Sequence, residues 1–177
     1  GHLGGVACFS FNGNKLVTTG GGGMVVTDNP DWAERAKYLT TQSKNDPVEY
    51  IHNEIGYNYR LTNLQAAMGC AQMENIDDRI EAKRRIAASY RSGIEDVPGL
   101  TLMAQAPWAE SVFWLSTVLV EEEHDGLSSR GLMQKLRERQ IEARPLWQPL
   151  HLSPAHGGMQ ACHLEVAELL CRNALSL

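Results

Sequence analysis

The sequence predicts an α/β fold built from short strands and amphipathic helices. Short apolar and β-branched runs, bounded by glycine or proline, alternate with segments whose apolar residues recur every three or four positions. The 177 residues are 43% hydrophobic and 21% charged, which is the composition of an ordinary globular protein with enough apolar side chains for a core. No low-complexity tract and no internal repeat is visible.

Three strands are predicted near the beginning of the chain, at residues 6–11, 16–19 and 24–27. The first is apolar enough to be buried, and the other two flank four consecutive glycines, Gly20 to Gly23, which we place at a tight connection. Asp28 begins a polar helix start that leads into a short helix over residues 32–39. The polar residues 40–53 predict a loop.

The strongest helical signal begins at Thr62. Thr62 and Gln65 form a T-x-x-Q capping box, in which the two side chains satisfy exposed backbone amides at a helix start. Apolar residues then follow the steps of one helix face, except for a five-residue step from Met68 to Met73 that predicts a kink or a change of buried face. Pro98-Gly99 ends this helical segment. Because so long a helix often connects two lobes, we predict a domain boundary within it, between residues 75 and 76.

The last hundred residues predict a small α/β unit. Strands are expected at residues 100–103, 112–120 and 141–144, and helices from Ser128 or Ser129 to about Arg139 and over residues 165–173. The second of these strands is apolar enough to be buried on both faces. Acidic residues 121–125 predict a solvated turn, and Pro145 ends the last strand.

The charge balance and the cysteines exclude several classes of protein. Sixteen basic residues against 21 acidic ones give a net charge of -5, whereas a protein that binds a nucleic-acid backbone needs a basic face. No apolar run approaches the roughly 20 residues that span a bilayer, and no signal-peptide pattern is present. The four cysteines are scattered without a CxxC pair. We therefore expect a cytoplasmic protein with neither nucleic-acid nor membrane partners.

Lys15 is the first candidate for chemistry. It follows a turn at Asn12-Gly13, between two strands predicted to be buried, where its flexible side chain could reach a cleft. A neutral amine in such a place can attack an aldehyde. The alternative is an ordinary surface or loop lysine, which the spacing alone leaves open.

Residues 54–60 are the second candidate, because polar, aromatic and cationic groups precede a predicted helix N-terminus there. Such a place suits an anion, since backbone amides and an arginine can converge on it. The alternative is a loop that packs its tyrosines. The glycines Gly20 to Gly23 lack the GK[ST] ending of a P-loop, so we interpret them as a tight turn or as room for a ligand.

Several metal-binding residue types lie near the end of the chain: His151, His156, Cys162 and His163. Their spacing matches no zinc pattern, so we predict no metal site and interpret them as loop and packing residues. Among them, His151 is expected to line a cleft beside Trp147.

Three stretches of the chain carry a family resemblance: Ala7 to Lys15 with Thr18 to Val25, then Gly56 to Ala67, then Arg144 to His151. Together they resemble the lysine motif and two further signatures of the DegT/DnrJ/EryC1/StrS sugar aminotransferases, in the family's order. The resemblance implies a fold-type-I transferase that depends on pyridoxal 5'-phosphate. Residues 1–75 would be the remnant of its large cofactor domain, and residues 76–177 its connecting helix and small α/β domain.

The resemblance also implies roles for individual residues. Lys15 would hold the cofactor as a Schiff base and then move protons, and Ser10 would hydrogen-bond the cofactor phosphate. Asn58 would reach the phosphate of the neighbouring subunit's cofactor, which implies a homodimer with shared active sites. The sugar-nucleotide side would be formed by Tyr57, Arg60, Trp147 and His151.

The implied reaction moves an amino group from an amino acid, with glutamate expected, to a nucleotide-linked 4-keto-6-deoxy sugar for cell-surface glycan or polysaccharide biosynthesis. Lys15 distinguishes this chain from the family's sugar dehydratase branch, which has histidine there. Many members have Gly-Glu-Gly-Gly where this chain has Gly20 to Gly23. The all-glycine form resembles members that aminate UDP-linked 4-keto-6-deoxy-N-acetylhexosamines, of the bacillosamine and legionaminic-acid type.

The chain also departs from the family by what it lacks. The family's N-terminal half carries an aspartate for the pyridine nitrogen and an aromatic residue that stacks on the ring, and neither has a counterpart here. The sequence begins without methionine and ends within what resembles a new element. We therefore expect a fragment that is inactive alone. The alternative is a non-catalytic dimerisation or regulatory module derived from the family.

Overall fold

The computed structural model describes residues 3–46 and 48–177, without the side chains of Glu123 and Asp125. The chain divides into two compact units, Gly1–Arg79 and Ile80–Leu177. Both combine strands with helices.

The first unit contains a two-stranded sheet and two helices. Strands β1 (Ala7–Ser10) and β2 (Gly23–Val26) pair in antiparallel fashion. Helix α1 (Pro30–Thr40) begins where the Asn29 side chain accepts hydrogen bonds from the next backbone amides, with proline at the first helical position, where its missing N–H costs nothing. Helix α2 (Asn63–Met73) completes the set.

The predicted capping box at α2 is confirmed. The Thr62 hydroxyl accepts from the Gln65 backbone amide, and the Gln65 side chain accepts from the Thr62 amide. Helix α2 ends at Met73, and α3 (Ile76–Ile94) begins after a two-residue break. The break follows the five-residue step in the apolar pattern, where a kink or a change of buried face was predicted, so the single long helix predicted there is two helices.

The second unit is built on a four-stranded antiparallel sheet with the order β3-β4-β6-β5. The strands are β3 (Leu100–Leu102), β4 (Thr117–Val120), β5 (Arg144–Pro145) and β6 (Ala174–Ser176). Val118, Val120 and Leu175 are buried at the centre, and partly buried side chains from α3 and the neighbouring elements pack against them. Burial of such side chains stabilises the unit by about 1.5–3 kcal/mol each.

Besides α3, three helices accompany this sheet: α4 (Glu122–Asp125), α5 (Ser129–Glu138) and α6 (Glu165–Asn173). The cap of α5 is Ser128, whose hydroxyl accepts from the Gly131 amide, so the structure decides between the two serines. The predicted bounds of α6 are confirmed. Two single 3-10 turns, Leu150–Leu152 and Pro154–His156, lie between β5 and α6.

The predicted strand at residues 16–19 is wrong. The side-chain amide of Gln72 forms hydrogen bonds with both backbone groups of Thr18. It accepts from the Thr18 N–H at 3.1 Å and donates to the Thr18 carbonyl at 2.8 Å. The Thr19 amide turns back to donate to Phe11. With these groups engaged, the segment has no free edge on which to form a ladder.

The predicted burial of the first strand is also wrong, because three of the four β1 residues are exposed and Phe9 is about half exposed. The predicted strand at 112–120 shortens to β4, since Phe113 adopts a positive φ of 46° that interrupts extended backbone. Its burial on both faces is wrong too, because β4 alternates between buried and half-buried residues.

Two further expectations fail near the ends of short elements. The acidic segment 121–125 contains the helix α4, which closes at Gly126 in the left-handed conformation. The strand predicted at 141–144 is instead Arg144–Pro145, at the edge of the sheet, where a proline costs no ladder hydrogen bond.

All four cysteines are free thiols. Within the described part of the chain, no helix is long and apolar enough to cross a membrane.

Candidate active site

Lys15 and Ser10 belong to one turn at the end of β1. The backbone of Asn12 joins them: its amide donates to Ser10 Oγ at 3.4 Å, and its carbonyl accepts from the Lys15 amide at 3.0 Å. Lys15 is half-buried and Ser10 is exposed. The expectation that Lys15 lies between two buried strands is therefore corrected to a position on a turn after one exposed strand, with a hydroxyl and an amine on the same short segment.

The glycine run lies beside this turn. Gly22 has a φ of +83°, and its carbonyl accepts from the Phe11 amide at 3.0 Å. The positive φ favours glycine, and a Cβ at Gly22 would lie 2.4 Å from Cδ2 of Leu61, so a larger residue would also displace that side chain. The run is thus a tight connection that brings the second sequence signature, through Leu61, against the first.

Gln72 is a residue of this site that sequence reasoning missed. Its two hydrogen bonds to the Thr18 backbone hold the segment that follows Lys15 against α2. Gly69, one turn earlier on α2, allows this approach, since a Cβ there would lie 3.0 Å from Thr19 Cγ2. The Thr18 hydroxyl also donates to the Phe11 carbonyl at 3.1 Å. These contacts fix both ends of the turn that carries Lys15.

The second signature runs in extended form beside the end of α1. The amides of Tyr57 and Tyr59 donate to backbone carbonyls of Leu39 and Thr40, at 2.7 and 3.1 Å. The two tyrosine rings stack with centroids 5.0 Å apart. Because side chains alternate along extended backbone, we expect the Asn58 side chain to be directed away from the tyrosine pair. Asn58 and the two tyrosines are all exposed.

A close backbone contact supports this segment. A Cβ at Gly56 would lie 2.3 Å from the amide nitrogen and from Oγ of Ser43, so glycine is required there. Ser43 is fully buried and adopts a positive φ of 50°. Its hydroxyl has no hydrogen-bond partner among the described residues.

Glu54, two residues before the second signature, forms an ion pair with Arg35. Its carboxylate accepts two hydrogen bonds from the Arg35 guanidinium, one of them at 2.6 Å. These bonds, with the attraction of the adjacent positive charge, lower the pKa of Glu54 and raise the pKa of Arg35. Arg35 is thus occupied, whereas Arg60 makes no ion pair with any described residue and is exposed.

The third signature lies in the second unit, in the segment that follows β5. Trp147 stacks on Trp114 with ring centroids 6.1 Å apart, and it remains 68% exposed. Nε2 of His151 lies 2.8 Å from a carboxylate oxygen of Glu168 on α6. The predicted cleft-lining pair, Trp147 and His151, is therefore accompanied by Trp114 and Glu168, which sequence reasoning missed.

The structure groups the predicted residues as three sets. Lys15 with Ser10 and the segment containing Tyr57, Asn58 and Arg60 belong to the first unit, and Trp147 with His151 belongs to the second. Within the described ranges, no group of three histidine, cysteine or acidic side chains is close enough to hold a metal ion. The residues missed by the sequence are partners distant along the chain, such as Gln72, for which no local pattern exists.

The sequence profile of the DegT/DnrJ/EryC1/StrS aminotransferase family matches residues 1–177. EpsN of Bacillus subtilis, provisionally named a pyridoxal phosphate-dependent aminotransferase, is 42% identical over 87% of the chain and 39% of its own length. A GDP-perosamine synthase of Caulobacter vibrioides is 35% identical over 100% of the chain and 48% of its own length.

Among solved structures, S. venezuelae DesV in complex with a ketimine intermediate matches 98% of the chain and 46% of its own, with a TM-score of 0.83 and 31% identity. The chain thus spans less than half the length of each of these three proteins. The predicted fold class is confirmed by the structural match, and the predicted cofactor, pyridoxal 5'-phosphate, is confirmed at the level of the family. The chain belongs to the DegT/DnrJ/EryC1/StrS aminotransferase family.

Proposed function

We propose that the complete gene product carrying this chain is a pyridoxal-phosphate-dependent aminotransferase. Its amino donor is an amino acid, glutamate, and its acceptor is a nucleotide-linked 4-keto-6-deoxy sugar. Family membership and the names of the relatives, an aminotransferase and a GDP-perosamine synthase, support this assignment. The resemblance of the four glycines Gly20 to Gly23 to one group of family members favours a UDP-linked N-acetylhexosamine as the sugar. The product would serve cell-surface glycan or polysaccharide biosynthesis, with the enzyme in the cytoplasm.

The residues on the β1 turn fit the cofactor. The observation that carries the proposal is that Lys15, which bears an amine, and Ser10, which bears a hydroxyl, lie on one turn. The Asn12 backbone there bonds to the Ser10 hydroxyl and to the Lys15 backbone amide. An amine suits the aldehyde of pyridoxal phosphate, and a hydroxyl suits its phosphate. A Cβ at Gly13 or at Gly20 would meet no atom within 4 Å, so these positions of the turn and the glycine run face open space.

The chemistry divides between the cofactor and the chain. When bound, pyridoxal phosphate supplies an electron sink for the carbon that loses a proton. Lys15 would hold the cofactor and then carry a proton to and from the reacting carbon, while Ser10 orients the phosphate. Overall, the donor amino acid becomes a 2-oxo acid as the sugar ketone becomes an amine, so the amino group and the ketone oxygen exchange places.

Four residues would contact the sugar nucleotide. Arg60, exposed and without an ion pair in the described chain, would bind the diphosphate through charge-assisted hydrogen bonds. The exposed ring of Trp147 and the stacked ring of Tyr57 offer flat apolar faces. His151 would supply a directed polar contact.

The partner of the chain would be a second copy of itself. Large apolar side chains in and next to the second signature are exposed, with Ile55 at 82% and Leu64 at 84%. Exposed apolar side chains of this size suit burial against a partner. Asn58, which we expect to be directed away from Tyr57 and Tyr59, would reach the phosphate of the partner's cofactor, so each active site would draw on both subunits.

Replacement of Lys15 by alanine tests the assignment. In the complete gene product with added pyridoxal phosphate, the unsubstituted protein should show the absorbance band of a Schiff base, and Lys15→Ala should abolish the band and the activity. Lys37→Ala, on the exposed side of α1, is the matched control and should retain both. Retention of the band in Lys15→Ala would remove the assignment.

A mixing experiment tests the shared site. Lys15→Ala and Asn58→Ala subunits are each expected to be inactive alone, and random mixing should restore about a quarter of the native activity, because half of the dimers would carry one intact site. No recovery, with dimer formation verified by sedimentation, would show that Asn58 acts within its own subunit.

The competing interpretation of a non-catalytic module is separated by cofactor titration. A catalytic protein should bind pyridoxal phosphate and release a 2-oxo acid when glutamate is added, whereas a dimerisation module should do neither. A sugar dehydratase on the same fold would leave no amine on its product, so mass analysis of the sugar after reaction separates this third possibility.

A further inference from the structure

The contact between His151 and Glu168 uses one of the two ring nitrogens of His151. Nε2 of His151 lies 2.8 Å from Oε1 of Glu168, and the two side chains are 16% and 38% exposed. An ionised carboxylate has no proton to donate, so Nε2 must carry the hydrogen whether the ring is neutral or charged. Nδ1 makes no hydrogen bond with any residue of the described chain, and it is the ring nitrogen left for a ligand.

Helix α6 holds the segment of His151 at two places. Glu168 and Cys171 are three residues apart and therefore lie on one face of the helix. Glu168 contacts His151, and Sγ of Cys171 lies 3.9 Å from the carbonyl oxygen of Leu146. The part of the third signature from Leu146 to His151 is thus attached to the same helix face at both of its ends.

Helix α6 is itself fixed within the second unit. The carbonyls of its last turn, which lack partners within the helix, accept hydrogen bonds from α5: Ser129 Oγ donates to Arg172 at 2.6 Å, and Arg130 Nη2 donates to Cys171 at 3.0 Å. Strand β6 follows α6 directly, and its Leu175 is fully buried. A side chain on such an element can hold a partner in one orientation.

We propose that Glu168 is a positioning residue that orients His151, so that Nδ1 is the atom that contacts the sugar nucleotide. This inference rests on the proposed function, which places His151 on the sugar-nucleotide side. In the neutral ring with hydrogen on Nε2, Nδ1 is an acceptor. The complementary groups of a nucleotide-linked hexose are hydroxyl or amide N–H donors, and its diphosphate offers no proton. With the ring neutral, Glu168 therefore selects a hydroxyl or N–H contact at His151.

The kinetic test uses the complete gene product, glutamate and a UDP-linked 4-keto-6-deoxy-N-acetylhexosamine. Glu168→Ala should raise KM for the sugar nucleotide about tenfold, the expected loss for a contact that is no longer held in place. The rate of the half-reaction with glutamate should stay unchanged. Glu168→Gln should remain within about twofold of the native KM, because its amide oxygen still accepts from Nε2. Glu165→Ala, exposed on the same helix, is the matched control.

A double substitution separates positioning from a general structural role. In a His151→Ala background, Glu168→Ala should add no further rise in KM, because the side chain that it orients is gone. Independent, additive effects would overturn the inference. Failure of the native protein to release a 2-oxo acid from glutamate would instead contradict the proposed function, and the two failures are therefore distinguishable.

Nuclear magnetic resonance of ¹⁵N-histidine-labelled protein tests the orientation without any ligand. At a pH where the ¹⁵N shifts report a neutral ring, His151 should carry its hydrogen on Nε2. Glu168→Gln should preserve this form, and Glu168→Ala should give a mixture of the two tautomers. A native His151 with hydrogen on Nδ1 would overturn the inference. The inference would also fail if Glu168→Gln, which conserves the shape of the side chain, gave the same mixture of tautomers as Glu168→Ala.

Discussion

The two units hold their candidate residues by different forces. In the second unit, β6 is buried along its whole length and lies between β4 and β5, so the elements around His151 rest on a packed core. In the first unit, β1 and β2 are largely exposed, and Phe9 and Met24 are each about half exposed. The turn that carries Lys15 is held by hydrogen bonds from Gln72 and within residues 11–22, and by the burial of Val17.

This difference predicts which substitutions should lower the stability of each unit. Removal of buried methyl groups leaves a cavity that a packed core cannot fill, so the second unit should respond strongly to truncation of apolar side chains. In the first unit, truncation of an exposed strand residue removes little burial. Its weak point is the paired polar contact, because the loss of one partner leaves the other unsatisfied.

The largest effect is expected for Leu175→Ala. Leu175 is fully buried between β4 and β5, so the substitution should lower the free energy of unfolding by about 2–5 kcal/mol. Urea unfolding of the complete gene product, followed by tryptophan fluorescence, measures the change. The matched substitution Met24→Ala on exposed β2 should cost less than about 1 kcal/mol. Equal losses at the two positions would erase the contrast between the units.

The next effect is expected for Gln72→Ala in the first unit. Loss of its hydrogen bonds to the Thr18 backbone should cost about 1–3 kcal/mol locally, since a part-buried N–H and a carbonyl lose their partner. Amide hydrogen exchange at Thr18 should accelerate accordingly, while exchange at Leu175 stays slow. Gln134→Ala, exposed on α5, is the control and should change neither. Unaltered exchange at Thr18 would show that packing, and not Gln72, holds this segment.

Much of the helical structure could be predicted from the sequence, because its signals are local. The capping box of Thr62 and Gln65 lies within four residues, and the apolar period of α6 is contained in the helix itself. The residues of the candidate site were found in the same way, since each signature is a continuous string that resembles a known family. The turn joining Ser10 and Lys15 is one such string.

What the sequence did not reveal depends on partners distant along the chain. The pairing of Gln72 with Thr18 spans 54 positions and converts an apparent strand into a loop. Strand β6 has only three residues, too few for a period, and its burial comes from β4 and β5 on either side. Glu168 carried no signal of its own, because an acidic residue on an amphipathic helix normally faces water until a partner such as His151 is brought near.

The smallest effect is expected at the ion pair between Arg35 and Glu54, which tests whether exposed polar contacts in the first unit matter at all. The hydrogen bonds from Arg35 hold the pKa of Glu54 below its ordinary value of 4.5. Because the pKa is lower in the folded protein, the pair stabilises the fold above the ordinary value, and this contribution disappears as pH falls through the folded value. Arg35→Ala should therefore move the Glu54 titration, measured by carbon-13 resonance, upward towards 4.5, with little change in stability at neutral pH.

Asp46 is the internal control, because its pKa is lowered by the backbone amides of Glu49 and Val48 and should not move. A Glu54 titration that is the same with and without Arg35 would show that this pair is not formed in solution.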